Sequence, residues 1–239
     1  MELDIIYNED CLNGLKRIPS NSIDLVITDP PYILENKGGG IYKQEDKKYA
    51  KELENIKKGF DIKILDELCR IMKKINIYIW CSQKQIVELI NYFTDKKCNW
   101  NLITWHKSNP LPACSNKYLT DTEYCLFFRE KGVKILGTFE TKFTYYITPL
   151  NVADKHLWVH PTVKPIEIIK NFIINSSLEE DIVLDCFMGS GTTAVACKET
   201  GRHYIGFEIN KEYVDIANDR LKGITKQDKE RQERYFSLF

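Results

Sequence analysis

Asp185-Cys186-Phe187-Met188-Gly189-Ser190-Gly191-Thr192-Thr193 is the stretch that decides the fold. It begins within a short apolar run, Ile182–Phe187, which reads as a buried strand. It leads into Thr192–Thr200, which reads as a helix closed by Gly201. In open parallel sheets, a tight turn between strand and helix is where nucleotide-like ligands bind, at the carboxyl ends of the strands. Gly189 and Gly191 predict a close approach of backbone to ligand, and the helix start at Thr192 offers free N–H groups to a carboxylate. Three readings stand side by side. A P-loop needs Gly-Lys-Ser/Thr, and no Lys follows Gly191, which disfavours ATP or GTP hydrolysis. A dinucleotide fingerprint needs a third glycine where Ala194 stands. The third reading is an ordinary strand-to-helix turn. The next run, Tyr204–Ile209, carries Glu208, an acid placed to accept both ribose hydroxyls of a nucleoside. An adenosine-containing cofactor satisfies both features.

Outward from this stretch, short apolar runs alternate with amphipathic ones, the pattern of a mostly parallel sheet with crossover helices. Strands are predicted at Ile5–Tyr7, Ile23–Thr28 and Ile75–Cys81, with β-like runs at Trp100–Lys107 and Tyr124–Arg129. Helices are predicted at Leu12–Ile18, Asp61–Lys74, Gln83–Phe93, Pro165–Ser177 and Lys211–Lys222. Residues 130–160 fit no element. Repeats and linkers are missing, so 1–239 reads as a single domain with two insertions.

The most specific feature is Asp29-Pro30-Pro31-Tyr32, where the strand Ile23–Thr28 runs out. Two prolines stiffen the backbone and lack N–H groups, so nearby carbonyls are open acceptors. Asp29 adds a carboxylate and Tyr32 a flat ring. Such a turn suits a planar group bearing an amino substituent. The lone pair of an exocyclic base amino group is delocalised into the ring. Asp29 Oδ and the Pro30 carbonyl, accepting its two hydrogens, would draw the nitrogen towards tetrahedral geometry. Tyr32 would stack on the base, a contact worth about 1–3 kcal/mol. The base must leave the duplex to get there. The bland reading is a rigid turn whose Asp caps its neighbours.

Composition bounds these readings. The chain has 239 residues, 43% of them hydrophobic and 28% charged, as in a globular protein. Its 34 basic and 34 acidic residues cancel, so positive charge for nucleic acid must be concentrated locally. Eight cysteines show no Cys-x-x-Cys or zinc spacing; no metal is expected, and the thiols read as core residues in a reducing cytoplasm. Neither a signal peptide nor a membrane-spanning run is evident.

Together these motifs resemble the amino-methyltransferases of DNA, in the permuted order called the β class. The resemblance covers most of the chain. The family's catalytic motif is matched by Asp29-Pro30-Pro31-Tyr32. Its cofactor motif is matched by Asp185, Phe187, Gly189, Ser190, Gly191, Thr192 and Thr193, with Cys186 where a proline is usual. The resemblance implies S-adenosyl-L-methionine as cofactor. It places His160, Thr162 and Lys164 at the methionine end, Lys164 suiting the carboxylate, Asp10 with Cys11 near the adenine, and Glu208 on the ribose. It implies a Rossmann-like α/β fold, the seven-stranded methyltransferase sheet circularly permuted to start at its third strand, with a small target-recognition insertion. The stretches Trp105–Pro112 and Asp121–Tyr124 also resemble the family. Asp rather than Ser heading the catalytic turn favours adenine N6 over cytosine N4. A C5-cytosine enzyme would need a nucleophilic Cys, normally after Pro, and no such pair occurs.

Double-stranded DNA is the expected partner, in the cytoplasm at the nucleoid. Residues 33–60 read as a mobile basic loop; the segment 37–63 has eight Lys against five acids. There Lys37, Lys43, Lys47 and Lys48 would track phosphates. Residues 107–150, with Lys107, Asn109 and Lys117, remain for target recognition, and His106 reads as structural. The end Phe236-Ser237-Leu238-Phe239 packs on its own domain or docks on a protein such as a replication clamp, and a homodimer stays open. An N4-cytosine DNA or RNA amino-methyltransferase, and a non-catalytic protein that binds cofactor and nucleic acid, are the alternative readings. No nuclease motif is evident, so the expected role is modification.

Overall fold

A computed structural model describes residues 1–31, 61, 63–110, 112, 116, 118–149, 163–225 and 228. The 33–60 loop with Lys37, Lys43, Lys47 and Lys48, Tyr32, Lys117, His160, Thr162 and the tail 236–239 lie outside the described residues.

Eight strands form one sheet: β1 (Ile5–Tyr7), β2 (Leu25–Thr28), β3 (Asn76–Cys81), β4 (Asn99–Lys107), β5 (Thr122–Arg129), β6 (Tyr145–Thr148), β7 (Ile182–Asp185) and β8 (His203–Phe207). Their order is β1-β8-β7-β2-β3-β5-β4-β6. β1, β8, β7, β2 and β3 pair in parallel, β5 is antiparallel to both β3 and β4, and β6 is parallel to β4. Among the described strands β5 is therefore the one that is reversed.

The described helices are α1 (Cys11–Leu15), α2 (Lys63–Ile71), α3 (Gln83–Asp95), α4 (Ile166–Ser176), α5 (Thr192–Glu199) and α6 (Lys211–Lys222). They cover both sheet faces, and strand residues alternate between two cores accordingly. Val26, Ile77, Ile79, Leu126 and Phe128 join Leu15, Leu65, Leu68 and Phe93 from α1, α2 and α3. Leu25, Tyr78, Trp80, Phe127 and Val183 join Ile169, Phe172, Ala194 and Ala217 from α4, α5 and α6. At about 25 cal/mol per Å² of apolar surface, this two-faced burial dominates the favourable side of folding. Tyr78 is sandwiched between Phe127 and Phe172, at 4.2 Å from each ring centroid. None of the helices among the described residues is long and apolar enough to cross a membrane.

The sheet corrects the expectation of seven strands. The additional edge strand β6 lies inside the unassigned stretch 130–160. It is four residues long and half exposed, so its sequence lacks the buried apolar run that betrays a central strand. Boundaries shift elsewhere for local reasons. Pro165 caps α4 from outside, with ψ 124°, instead of sitting in its first turn. β7 ends at Asp185 because the chain bends there into the glycine turn.

β7 leads through α5 to β8 on one side, while β2 is followed by β3 on the other. The neighbouring carboxyl ends of β7 and β2 thus form the crevice where strand order reverses, the place such sheets use for ligands.

Candidate active site

Asp29 leaves β2 and the glycine turn leaves β7, and the parallel register Leu25↔Val183, Val26↔Leu184 brings the two exits together. One cavity is lined by Asp29 and Lys164 together with Asp185, Phe187, Gly189, Ser190, Thr192 and Thr193. Residues 156 positions apart in the chain, Asp29 and Asp185, therefore face a common space. Pro30 is buried, and the Pro31 carbonyl lies 3.5 Å from Gln85 Nε2 at the start of α3.

The glycine turn is fixed from beneath. Asp185 accepts hydrogen bonds from Phe187 N (3.0 Å) and Thr193 Oγ1 (2.6 Å), locking the turn to the first residues of α5. Burial pushes the Asp185 carboxyl up to about 7, against the pull of those two donors. Glu208 bridges two loops, accepting from Gly189 N (2.9 Å) and Asn210 N (2.8 Å). Burial raises its carboxyl above the usual range, and backbone donors offset part of the shift. Arg220, buried in the last turn of α6, donates to Thr192 Oγ1 (2.9 Å) and the Ser190 carbonyl (3.3 Å). Gly191 has a packing role as well. Its φ is +81°, and a Cβ there would stand 2.8 Å from Ala217 Cβ. Its missing side chain lets α6 pack against the turn.

Asp10 caps α1, accepting from Leu12 N (3.0 Å) and Asn13 N (3.3 Å), at the carboxyl end of β1 beside Glu208's strand. Cys11 is buried in the core beside Cys186 rather than in the cavity lining.

Lys164 sits just before α4, and its Nζ bonds to Asp29 Oδ2 and lies 3.2 Å from Glu123 Oε2. Burial disfavours its charge, but Asp29 and then Glu123 outweigh that penalty and hold the ammonium above the usual lysine range. Lys107, expected to take part in target recognition, is 2.8 Å from Glu123 Oε1 and largely shielded. Burial works against Glu123 too, but Lys164 and Lys107 bring its carboxyl below the ordinary range. Asn109 is exposed beyond the end of β4. His106 bonds Thr104 Oγ1 and Thr122 Oγ1 through its two ring nitrogens, the structural role expected of it.

Sequence reading missed Trp80, Glu123 as a partner of Lys164, and Arg220. Trp80 lines the cavity, 1% exposed, and its indole N–H has no partner among the described residues. Only its place one residue before the end of a strand neighbouring β2 hinted at this. Among the described residues no cluster of His, Cys, Asp or Glu is arranged to hold a metal.

The family to which this geometry corresponds is the DNA methylase family whose model, N6_N4_Mtase, matches residues 23–219. The chain belongs to that family and is a DNA amino-methyltransferase of the class that acts on adenine N6 or cytosine N4. It is 32% identical over 243 residues to the type II methyltransferase M2.LlaDCHI of Lactococcus lactis subsp. cremoris, covering 92% of this chain and 90% of that one. It is 30% identical to the type II methyltransferase M2.DpnII of Streptococcus pneumoniae, covering 91% and 89%. The crystal structure of the M1.HpyAVI–SAM complex superposes with a TM-score of 0.66 at 25% identity, covering 90% of this chain and 98% of the other. The cytosine-N4-specific PvuII DNA methyltransferase shares the fold, with a TM-score of 0.68 at 19% identity over 90% and 85% of the two chains.

Proposed function

We propose that the protein is a site-specific DNA methyltransferase that modifies adenine at N6, the modification half of a restriction–modification pair. The observation that carries the reading is the shared cavity of Asp29 and the turn 187–190.

S-adenosyl-L-methionine is the cofactor of this family and supplies an electrophilic methyl group when bound. The residues fit it. The cavity is lined by Trp80, whose buried indole N–H lacks a partner among the described residues, by Lys164 and by the glycine turn, which Glu208 ties through Gly189 N and Arg220 braces from behind through the Ser190 carbonyl. Glu208, Gly189, Ser190 and Thr192 would hold the nucleoside and amino-acid parts, with Asp10 next to the strand that bears Glu208.

The chain's own part in the reaction is positioning. Asp29 and the Pro30 carbonyl accept the two amino hydrogens and turn the nitrogen lone pair towards the glycine turn. Orienting two reactants this way accounts for about 7–11 kcal/mol of barrier in favourable cases. Lys164 Nζ bonds Asp29 Oδ2 and so holds the carboxyl at the mouth of the turn. Asp at the head of the turn supports adenine over cytosine.

The test is transfer of labelled methyl from S-adenosyl-L-methionine to unmethylated double-stranded DNA, followed by sequencing of the modified bases. N6-methyladenine at one recurring site is expected; N4-methylcytosine would overturn the base assignment, and no transfer would overturn the enzyme. Asp29→Ala should abolish transfer while leaving cofactor affinity within about twofold, read by calorimetry.

A further inference from the structure

Glu123 stands at the active edge because of a topological exception. Among the described strands β5 is the one that runs against the others, so its amino end arrives where its neighbours have their carboxyl ends. The register sets Tyr124 opposite Cys81 on β3 and Glu123 opposite Trp105 on β4. From there Glu123 forms ion pairs with two lysines, Lys164 at 3.2 Å from Oε2 and Lys107 at 2.8 Å from Oε1; the buried Oε2 accepts no aligned hydrogen bond among the described residues, so its hold on Lys164 is electrostatic. Lys164 in turn bonds Asp29 and places its Nζ 5.1 Å from the centre of the Trp80 ring. The result is a line of alternating charge, Asp29, Lys164, Glu123, Lys107, whose sum is zero.

We propose that Glu123 is a positioning residue for methyl transfer: through Lys164 it fixes the direction in which the Asp29 carboxylate is held. The inference rests on the functional reading above. A second carboxylate, on another strand, narrows the range over which Lys164 and Asp29 can move as a pair, and the Trp80 ring flanks the ammonium on a further side. Lys107 keeps Glu123 ionised and in place without adding net charge to the cavity. The outer pair thus acts on the chemistry only through the inner one.

The experiment uses the full-length chain, S-adenosyl-L-methionine with a labelled methyl group, and unmethylated double-stranded DNA, with the single-turnover rate and both binding affinities measured. Glu123→Gln keeps the shape and removes the anchor. Its rate is expected to fall roughly 10- to 100-fold, the scale of a misplacement near 1 Å, while cofactor and DNA affinities stay within about twofold. Glu123→Asp, which keeps the charge, should recover part of the rate, and serves as the test if the Gln variant does not fold. Glu123→Gln combined with Lys107→Gln restores neutrality but should remain slow. The inference is overturned by a wild-type rate in Glu123→Gln, by a loss matched in cofactor affinity and thermal stability, or by recovery in the double variant. Wild-type protein that transfers no methyl group at all sinks the functional reading and this inference together; an active wild type with an unaffected Glu123→Gln sinks only the latter.

Discussion

Asp185 accepts two hydrogen bonds in a buried setting that raises its carboxyl from 3.8 to about 7. The folded state therefore keeps its proton where the unfolded state has lost it. Its contribution to stability is full below the unfolded value, declines as pH rises through about 7, and is gone above it. Asp185→Asn retains an acceptor for Phe187 N and offers a donor to Thr193 Oγ1, without the titration. Thermal melts from pH 4 to 8 should show wild type losing stability relative to Asp185→Asn across that window and levelling off above pH 7. A constant difference would contradict this. Trp80→Phe keeps the ring beside Lys164 and deletes the unpartnered N–H. Calorimetry with S-adenosyl-L-methionine should show affinity lower by about 0.5–1.5 kcal/mol, one hydrogen bond's worth, with no loss of thermal stability. At this scale the sequence reveals residues whose chemistry is local. Asp29 is followed by two prolines, and Gly189 stands in a turn, so their backbone surroundings are written beside them. Glu123, Trp80 and Arg220 acquire their partners only through strand register and helix packing. No spacing in the chain announces those contacts.

The turn between β7 and α5 works as a unit with α6. A side chain at 191 would meet two obstacles: a left-handed backbone at φ +81°, and Ala217 Cβ at 2.8 Å. Gly191→Ala should cost about 1–3 kcal/mol, the range for overpacking, with the strained backbone adding to it. Urea unfolding monitored by circular dichroism would measure it, and an unchanged midpoint would contradict the packing role. The central strands β2, β3 and β7 were legible because burial on both faces makes them continuous apolar runs. β6 was not, since an edge strand half open to solvent needs neither an apolar run nor strict alternation. The reversal of β5 was equally hidden, because a strand's sequence does not state its direction.

At the scale of the whole molecule, the thiols among the described residues are mostly shielded from solvent. All seven cysteines among the described residues are unpaired, and six of them are buried. Burial pushes the Cys81 thiol up to about 12 and Cys98 up to about 11. A thiol reagent at pH 8 should label these seven slowly in the native protein and rapidly in urea, as peptide mass spectrometry would resolve. Fast native labelling of Cys81 or Cys125 would mean that the β3–β5 core opens. The α/β class and the juxtaposition of the two turns were readable at this scale, because alternating strands and helices admit few arrangements. The strand count was not.

The order of strands also sets when the enzyme can exist. β7 and β8, late in the chain, lie between β1 and β2, its earliest strands. A nascent chain halted before residue 182 exposes Asp29 with no glycine turn beside it, and β1 has no partner to dock against. Modification of DNA therefore begins only after β7 and β8 have been translated. A chain broken off early presents an unzipped β2 flank, the kind of edge that recruits proteases and aggregation.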